Sequence, residues 1–292
     1  MSFVTVCICT YRRPHVSETV RSVLAQDVGP DDSFEIVVAD DDPARSAEAA
    51  LGEIAANAGR PVRYVVSAAQ NVSHARNAAL DAAAGEWIAF IDDDEIAQPG
   101  WLAALLRIQR QTAADIVKGH VEGVYPPGTP DWLRSADPFT RDYGDDGAPA
   151  KLLASGNVLF RRALTANGVR FDPQFGRSGG EDTDFFGRLR AAGARAVVAR
   201  SAVVLEIVPA SRVEVGYLRS RNRRAGQTDG RKAAARGGGL LLRAKAMLFV
   251  SLCWLHPIVR PLHGGLGYRL FAKLWYSVGM LEGLAGRATE EM

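Results

Sequence analysis

Residues 87–95 read Trp-Ile-Ala-Phe-Ile-Asp-Asp-Asp-Glu. Five apolar residues are cut off by four acids. A short apolar run bounded so sharply fits a strand buried on both faces, as in a parallel sheet. Working outward, residues 34–39 (FEIVVA) repeat the design and end in Asp40-Asp41-Asp42-Pro43. Residues 3–10 (FVTVCICT) and 62–66 are two further buried strands. Helical patterns separate them. Residues 15–26 place Val16, Val20, Val23 and Leu24 on one face, 44–58 are alanine-rich, 73–84 stop at Gly85, and 101–113 follow Pro99-Gly100. This alternation predicts an α/β fold with a Rossmann-like, mostly parallel sheet flanked by helices. Such sheets bind ligands outside the carboxyl ends of their strands, which is where both acidic clusters fall.

The second half is less regular. Residues 116–124, 153–160 and 196–208 are expected strands, and 181–192 (EDTDFFGRLRAA) an expected helix whose first-turn acids suit its dipole. Residues 125–150 read as a long binding loop. With 292 residues, 47% hydrophobic and 23% charged, the chain is not disordered, collagen-like or coiled-coil. Cys7, Cys9 and Cys253 cannot form a disulfide framework and suit a reducing compartment. The first ten residues lack the basic start of a signal peptide, and no run reaches the roughly 18 apolar residues of a membrane span. Charge is uneven: residues 1–211 carry a net −7 and residues 212–292 a net +9. A domain boundary is therefore expected at 211/212, and the basic tail calls for an anionic partner.

Four groups could carry chemistry. Asp92-Asp93-Asp94 crowds carboxylates that repel unless a cation compensates them; the alternative is a solvated acidic turn capping the next helix. Asp40-Asp41-Asp42 is either a second wall of one site or Asx-turn chemistry before Pro43. Arg76, in the helix opened by residues 71–77 (NVSHARN), could pair with a phosphate or with the Asp triplet; the alternative is an exposed helical arginine in a salt bridge. Gly179-Gly180-Glu181-Asp182 puts carboxylates at a flexible junction, where one could act as a general base or cap the helix.

Together these stretches resemble the family 2 glycosyltransferases of GT-A fold, in particular the bacterial exopolysaccharide type that includes succinoglycan glucosyltransferases. The resemblance lies in residues 4–14 (VTVCICTYRRP), 35–41 (EIVVADD), 75–80 (ARNAAL), 90–95 (FIDDDE) and Gly180-Glu181-Asp182, and it spans about residues 3–210. It implies an inverting, metal-dependent enzyme that moves a sugar from a UDP-sugar to a hydroxyl of a lipid-linked glycan. It also implies roles. Thr10, Tyr11, Arg13, Asp41, Arg76, Asp92 and Asp93 would bind the nucleotide-sugar. Of these, Thr10, Tyr11 and Asp41 would lie on the base, Asp93 on the ribose and Arg76 near the diphosphate. Asp94 would hold Mg²⁺ or Mn²⁺, and Asp182 would deprotonate the acceptor. Glu206 stands where the family often has a histidine metal ligand. Asp42-Pro43 replaces the usual Asp-Gly-Ser.

Residues 219–236 form a basic segment, read as a solvated loop or a phosphate-binding stretch. The runs 246–255 and 270–284, flanked by basic residues and containing tryptophan, read as amphipathic helices of an extension, separated by His256, Pro257 and Arg260. Such helices can lie in a membrane interface, which suits a cytoplasmic enzyme peripheral to the inner face of the cell membrane and implies no nucleic-acid partner. Two other readings compete: a sugar-phosphate nucleotidyltransferase, though no Gly-rich loop follows the first strand, and a non-catalytic nucleic-acid or membrane-binding protein, which leaves the acidic clusters unexplained.

Overall fold

Side chains alternate across the first strand and so sort the core into two layers. The computed structural model describes residues 1–177, 179–235, 237, 240–252 and 265–287. Among them the chain runs β1 (Ser2–Thr10), α1 (Val16–Leu24), β2 (Asp32–Asp40), α2 (Glu48–Ala56), β3 (Val62–Val66), α3 (Val72–Ala82), β4 (Trp87–Phe90), β5 (Glu95–Ala97), α4 (Trp101–Thr112) and β6 (Ile116–Val124). It continues through α5 (Asp131–Ala136), β7 (Val158–Arg161), α6 (Glu181–Ala191), β8 (Ala196–Ile207), α7 (Val215–Ala235), α8 (Leu240–Leu252) and α9 (Gly265–Leu284). Two compact units result. The first holds Met1–Gly123, Phe139–Arg177 and Glu181–Ile207. The second holds Val124–Pro138, residues 179–180 and the described residues after Ile207. The division thus falls just before the charge shift at 211/212, and half of the expected long loop goes with the C-terminal unit.

The sheet of the first unit has the order β3-β2-β1-β4-β7-β6-β8-β5. The first four strands are parallel, as the α/β alternation requires. β7 runs antiparallel to β4 and β6, and β5 antiparallel to β8. The chain moves outward from β1 to β2 and β3, then returns to β4 on the other side of β1. That reversal is a topological switch point, and it opens a crevice beyond the carboxyl ends of β1 and β4.

On one face Val4, Val6 and Ile8 pack with Val16, Val20 and Val23 of α1 and Trp101, Leu102 and Leu105 of α4. On the other, Cys7, Val37 and Ala39 meet Ala75, Ala79 and Leu80 of α3 and the aromatic group Phe160, Phe171, Phe185 and Phe186. Phe171 and Phe185 stack with centroids 4.0 Å apart, and Phe160 of β7 meets Phe185 edge-on at 5.8 Å, which holds α6 to the sheet. Gly85, the stop signal of α3, lies against β1: a Cβ there would sit 2.5 Å from the Thr5 nitrogen. Gly85→Ala should cost about 1–3 kcal/mol by overpacking, read as a lower denaturant midpoint at unchanged slope.

The strand expected over 153–160 is confined to Val158–Arg161. Asn157 takes a positive φ of 53°, and a Cβ on Gly156 would stand 2.7 Å from Asp92 Oδ2 and 2.8 Å from Glu95 Oε1. The chain is bent there around the acidic cluster. β5 and α5 have too few residues to show as sequence patterns.

In the second unit the basic segment 219–236 is not a loop: residues 219–235 lie in helix α7. Its cations have local work. Arg223 donates to Glu282 at 2.5 and 2.7 Å, Gln227 joins at 2.7 Å, and the Arg219 guanidinium lies 4.0 Å over the Trp275 ring. α7 and α9 touch through glycines. A Cβ on Gly226 would meet the Tyr276 carbonyl oxygen at 2.0 Å, and one on Gly283 the Gln227 carbonyl oxygen at 2.2 Å. Gly230 and Gly279 are as tightly placed, with Met280 O at 2.5 Å and Arg223 O at 1.9 Å. α5 packs on α9, with Trp132 stacked 6.3 Å from Tyr268. Cys253 and the interruption at His256, Pro257 and Arg260 lie outside the described residues. Among the described residues no helix is long and apolar enough to cross a membrane.

Candidate active site

The crevice at the switch point is built from strand ends. Thr10 closes β1, and its hydroxyl donates to Asp93 Oδ2 at 2.8 Å. Thr19 on α1 donates to the Asp93 carbonyl at 3.1 Å, and the Ile207 N–H at the end of β8 to the Asp94 carbonyl at 3.0 Å. The backbone of the acidic turn is thus pinned from both sides. Both carboxylates are buried, and Arg13 partners them: Nη1 lies 2.6 Å from Asp94 Oδ2 and Nε 3.7 Å from Asp93 Oδ1. Burial pushes Asp93 up to about 7, against the pull of Arg13 and with the push of Asp94.

The second acidic triplet does different work. Asp40 accepts from the Asp42 and Ala47 N–H groups at 2.9 and 3.1 Å and from the Tyr64 hydroxyl at 2.7 Å. Asp42 accepts from the Ala44 N–H at 3.1 Å and holds both arms of Arg12 at 3.1 and 3.2 Å. This is the turn chemistry weighed for the triplet. Asp41 accepts from the Ser67 hydroxyl, the Ala69 N–H at 3.0 Å and the Asn71 N–H. Both Asp41 oxygens therefore shape the 67–71 loop, whose Asn71 caps α3 by accepting from Ser73 N at 3.0 Å. Tyr11 is half exposed just past the end of β1, with the Arg12 guanidinium 5.1 Å above its ring.

Behind the first triplet lies a buried charged layer that sequence patterns did not reveal. Burial raises the Asp92 carboxyl, with Arg76 opposing, and raises Glu95 well above its ordinary value, with Asp92 adding to the shift. Glu95 accepts from the Asp92 N–H at 3.0 Å through Oε2, while its buried Oε1 has no hydrogen-bond partner among the described residues. Directly across the β5–β8 pair stands Glu206. Like charges so placed repel, and two cations offset them. Lys118 of β6, fully buried, donates to the carbonyls of Gly156 and, at 3.0 Å, Asn157; burial brings it down to about 8, with Glu95 opposing. Arg141 donates to Glu206 Oε2 at 3.0 Å. A lysine directly after Ile116-Val117 in an expected strand was the available signal for Lys118; Arg141, inside the long loop, had none.

α6 brings the last group. Arg76 is buried against the Phe171 ring at 5.5 Å and paired with Glu181. Burial disfavours its charge, but Glu181 and Asp92 outweigh that and raise its pKa. Asp182, partly exposed beside Glu181, accepts at Oδ1 from the Thr183 N–H at 2.6 Å. Its charge acts on Arg76, Glu181, Lys118 and Tyr143, so it lies near the charged group around Asp92. The structure thus joins Thr10, Arg13, Asp93 and Asp94 by direct contact and places Arg76, Asp92 and Asp182 in one field. Asp41 stands apart as the organiser of the 67–71 loop. Glu206 lies beside Asp94 along the backbone, but its carboxylate is spent on Arg141.

Among the described residues no three His, Cys, Asp or Glu side chains gather into a ready metal cage. The donor set still fits a hard divalent cation of the kind that takes one or two carboxylates and completes its shell with substrate phosphates. Asp94 and Asp93 offer such carboxylates.

Residues 5–168 match the family model described as Glycosyl transferase family 2. The chain is 37% identical over 246 residues to succinoglycan biosynthesis protein ExoM of Rhizobium meliloti (strain 1021), which covers 81% of this chain and 77% of that protein. It is 25% identical over 193 residues to the glucosyl-dolichyl phosphate glucuronosyltransferase of Haloferax volcanii, covering 60% of this chain and 58% of that one. Its fold is similar to that of mannosyltransferase PcManGT from Pyrobaculum calidifontis in complex with GDP-Man and Mn²⁺, with a TM-score of 0.62, 18% identity, and 98% and 88% of the two chains covered.

Proposed function

The chain belongs to glycosyl transferase family 2 and has the GT-A fold, and from that premise we propose that it transfers a sugar, with inversion, from a UDP-sugar to a hydroxyl of a lipid-linked glycan during polysaccharide synthesis. The observation that supports the reading is the pairing of Arg13 with Asp93 and Asp94 at the end of β4, with Arg76 nearby among Glu181, Asp92 and Asp182. The acceptor oxygen bonds to the anomeric carbon as the bond from that carbon to the diphosphate oxygen breaks. Asp182 takes the hydroxyl proton, since a neutral hydroxyl is a weak nucleophile. Negative charge grows on the departing diphosphate. A divalent cation on Asp94 would supply Lewis-acid stabilisation there when bound. Arg76 holds Glu181, and through it the start of α6, which would position Asp182 for the acceptor. Thr10 and Tyr11 would meet the base and Asp93 the ribose. As a glycosyltransferase the chain is an enzyme, which displaces the nucleotidyltransferase and non-catalytic readings.

Calorimetry with UDP, GDP and dTDP, each with Mn²⁺ and with EDTA, tests the donor site. UDP binding that needs metal and falls at least tenfold in Asp94→Ala is expected. Absence of binding by all three nucleotides would overturn the reading.

The lipid-linked acceptor is supported by α8, which exposes Leu241, Leu242, Met247 and Leu248 next to Lys245. Apolar side chains beside cations suit an anionic bilayer surface. The full chain should pellet with vesicles containing anionic lipid, and Leu241→Ser with Leu248→Ser should weaken this severalfold. Equal pelleting by both proteins would exclude α8 as the contact.

A further inference from the structure

Two consecutive arginines share out the acidic strand ends. Arg12 grips Asp42 with both arms at 3.1 and 3.2 Å, and its backbone takes a φ of 53°, a region that residues other than glycine avoid. This anchored turn presents the next residue to the other triplet, where Arg13 lies 2.6 Å from Asp94 Oδ2. The members of that contact differ in freedom. Asp93 and Asp94 are buried and their backbone is fixed by Thr19 and Ile207. The Arg13 side chain is 40% exposed and long.

We propose that Arg13 is an exchangeable counter-cation: it holds Asp94 until the nucleotide-sugar arrives with a divalent ion, then yields Asp94 to the ion and turns to the donor's diphosphate. This rests on the donor-site reading above. A metal arriving alone must break a charge-assisted hydrogen bond and leave the guanidinium with only its longer contact to Asp93, 3.7 Å away, beside a new double charge. A metal arriving with a diphosphate gives Arg13 an anion in return. Metal and nucleotide affinities then depend on each other, and such coupling is reciprocal. The exchange would keep Asp94 from being loaded by metal without donor.

The test is a binding cycle on the full chain. Mn²⁺ affinity is measured by electron paramagnetic resonance of the free ion, with and without whichever of UDP, GDP or dTDP the wild type binds. Wild type, Arg13→Gln and Arg13→Lys are compared after circular dichroism confirms that each is folded. In Arg13→Gln, Mn²⁺ alone should bind about tenfold more tightly, and the factor by which nucleotide tightens Mn²⁺ should fall by a similar amount. Arg13→Lys keeps the charge without the planar fork, and its affinity for Mn²⁺ alone should stay within about threefold of wild type. Metal-only affinity that is unchanged or weaker in Arg13→Gln, or an unchanged coupling factor, overturns the exchange while leaving the donor site standing. Failure of the wild type to bind any nucleotide with Mn²⁺ overturns both.

Discussion

Asp182→Asn is expected to lower kcat by about a thousandfold, within the range that general-base catalysis supplies, while nucleotide binding stays within about twofold of wild type. The substitution keeps size and shape, and an amide oxygen can still accept from the Thr183 N–H that Asp182 now engages at 2.6 Å. What it removes is the capacity to take a proton. Arg76 and Glu181 remain paired, so α6 keeps its entry into the crevice. A thousandfold loss is about 4 kcal/mol of transition-state stabilisation. Steady-state kinetics with separate measurement of nucleotide Kd distinguishes this from a general loosening, which would raise Kd as well. A kcat within about fivefold of wild type would exclude Asp182 as the base and turn attention to another acceptor in the crevice.

The second large effect concerns stability. Lys118→Met should cost about 3–5 kcal/mol, the usual penalty for removing one partner of a buried ionic group. Methionine fills much of the space but leaves the Gly156 and Asn157 carbonyls without the donor they now share. It also takes from Glu95 and Asp92 one of the cations that act on them, leaving Arg141 and, for Asp92, Arg76. Adding Glu95→Gln should recover a large part of the loss, because the two residues answer each other's charge and their effects cannot add. Burial already holds the Glu95 carboxyl above 4.5. Its protonated form is therefore favoured in the folded state, and the stability it contributes is lost as pH rises through its folded pKa. Without Lys118 that loss deepens, so the deficit of the variant should be smaller near about pH 5 than near about pH 7.5. Denaturant midpoints at the two pH values give the result. A deficit under about 1 kcal/mol at both would mean that Lys118 is not the counter-charge of this layer.

The parallel half of the sheet was readable because each strand is an apolar run that stops at turn-forming residues, and runs of that kind have few other uses. The acidic ends of β2 and β4 could be placed for the same reason. What the two triplets do could not be separated by composition. Asp92-Asp93-Asp94 and Asp40-Asp41-Asp42 are the same letters, yet one meets Arg13 in the crevice and the other ties down turns and the 67–71 loop. The difference lies in what the rest of the chain brings to each, such as Thr10 from 83 residues away along the chain. Lys118, Arg141 and Glu206 form a layer only because β6, β8 and the segment after Pro138 converge, and no local periodicity records convergence. The basic stretch that became α7 misled for a related reason. Its glycines weaken a helical pattern in isolation, but they are the residues that a close helix partner requires.

The glycine contacts between α7 and α9 also fix how those helices can move. With Gly226, Gly230, Gly279 and Gly283 each seated against the opposite backbone, sliding either helix by a residue would drive a side chain into a carbonyl. The pair has no neighbouring register to hop to and would travel as one piece. A spin label or fluorophore on α7 would report the displacement of α9 as faithfully as its own. Two probes, one on each helix, would keep a constant separation through whatever motion accompanies turnover.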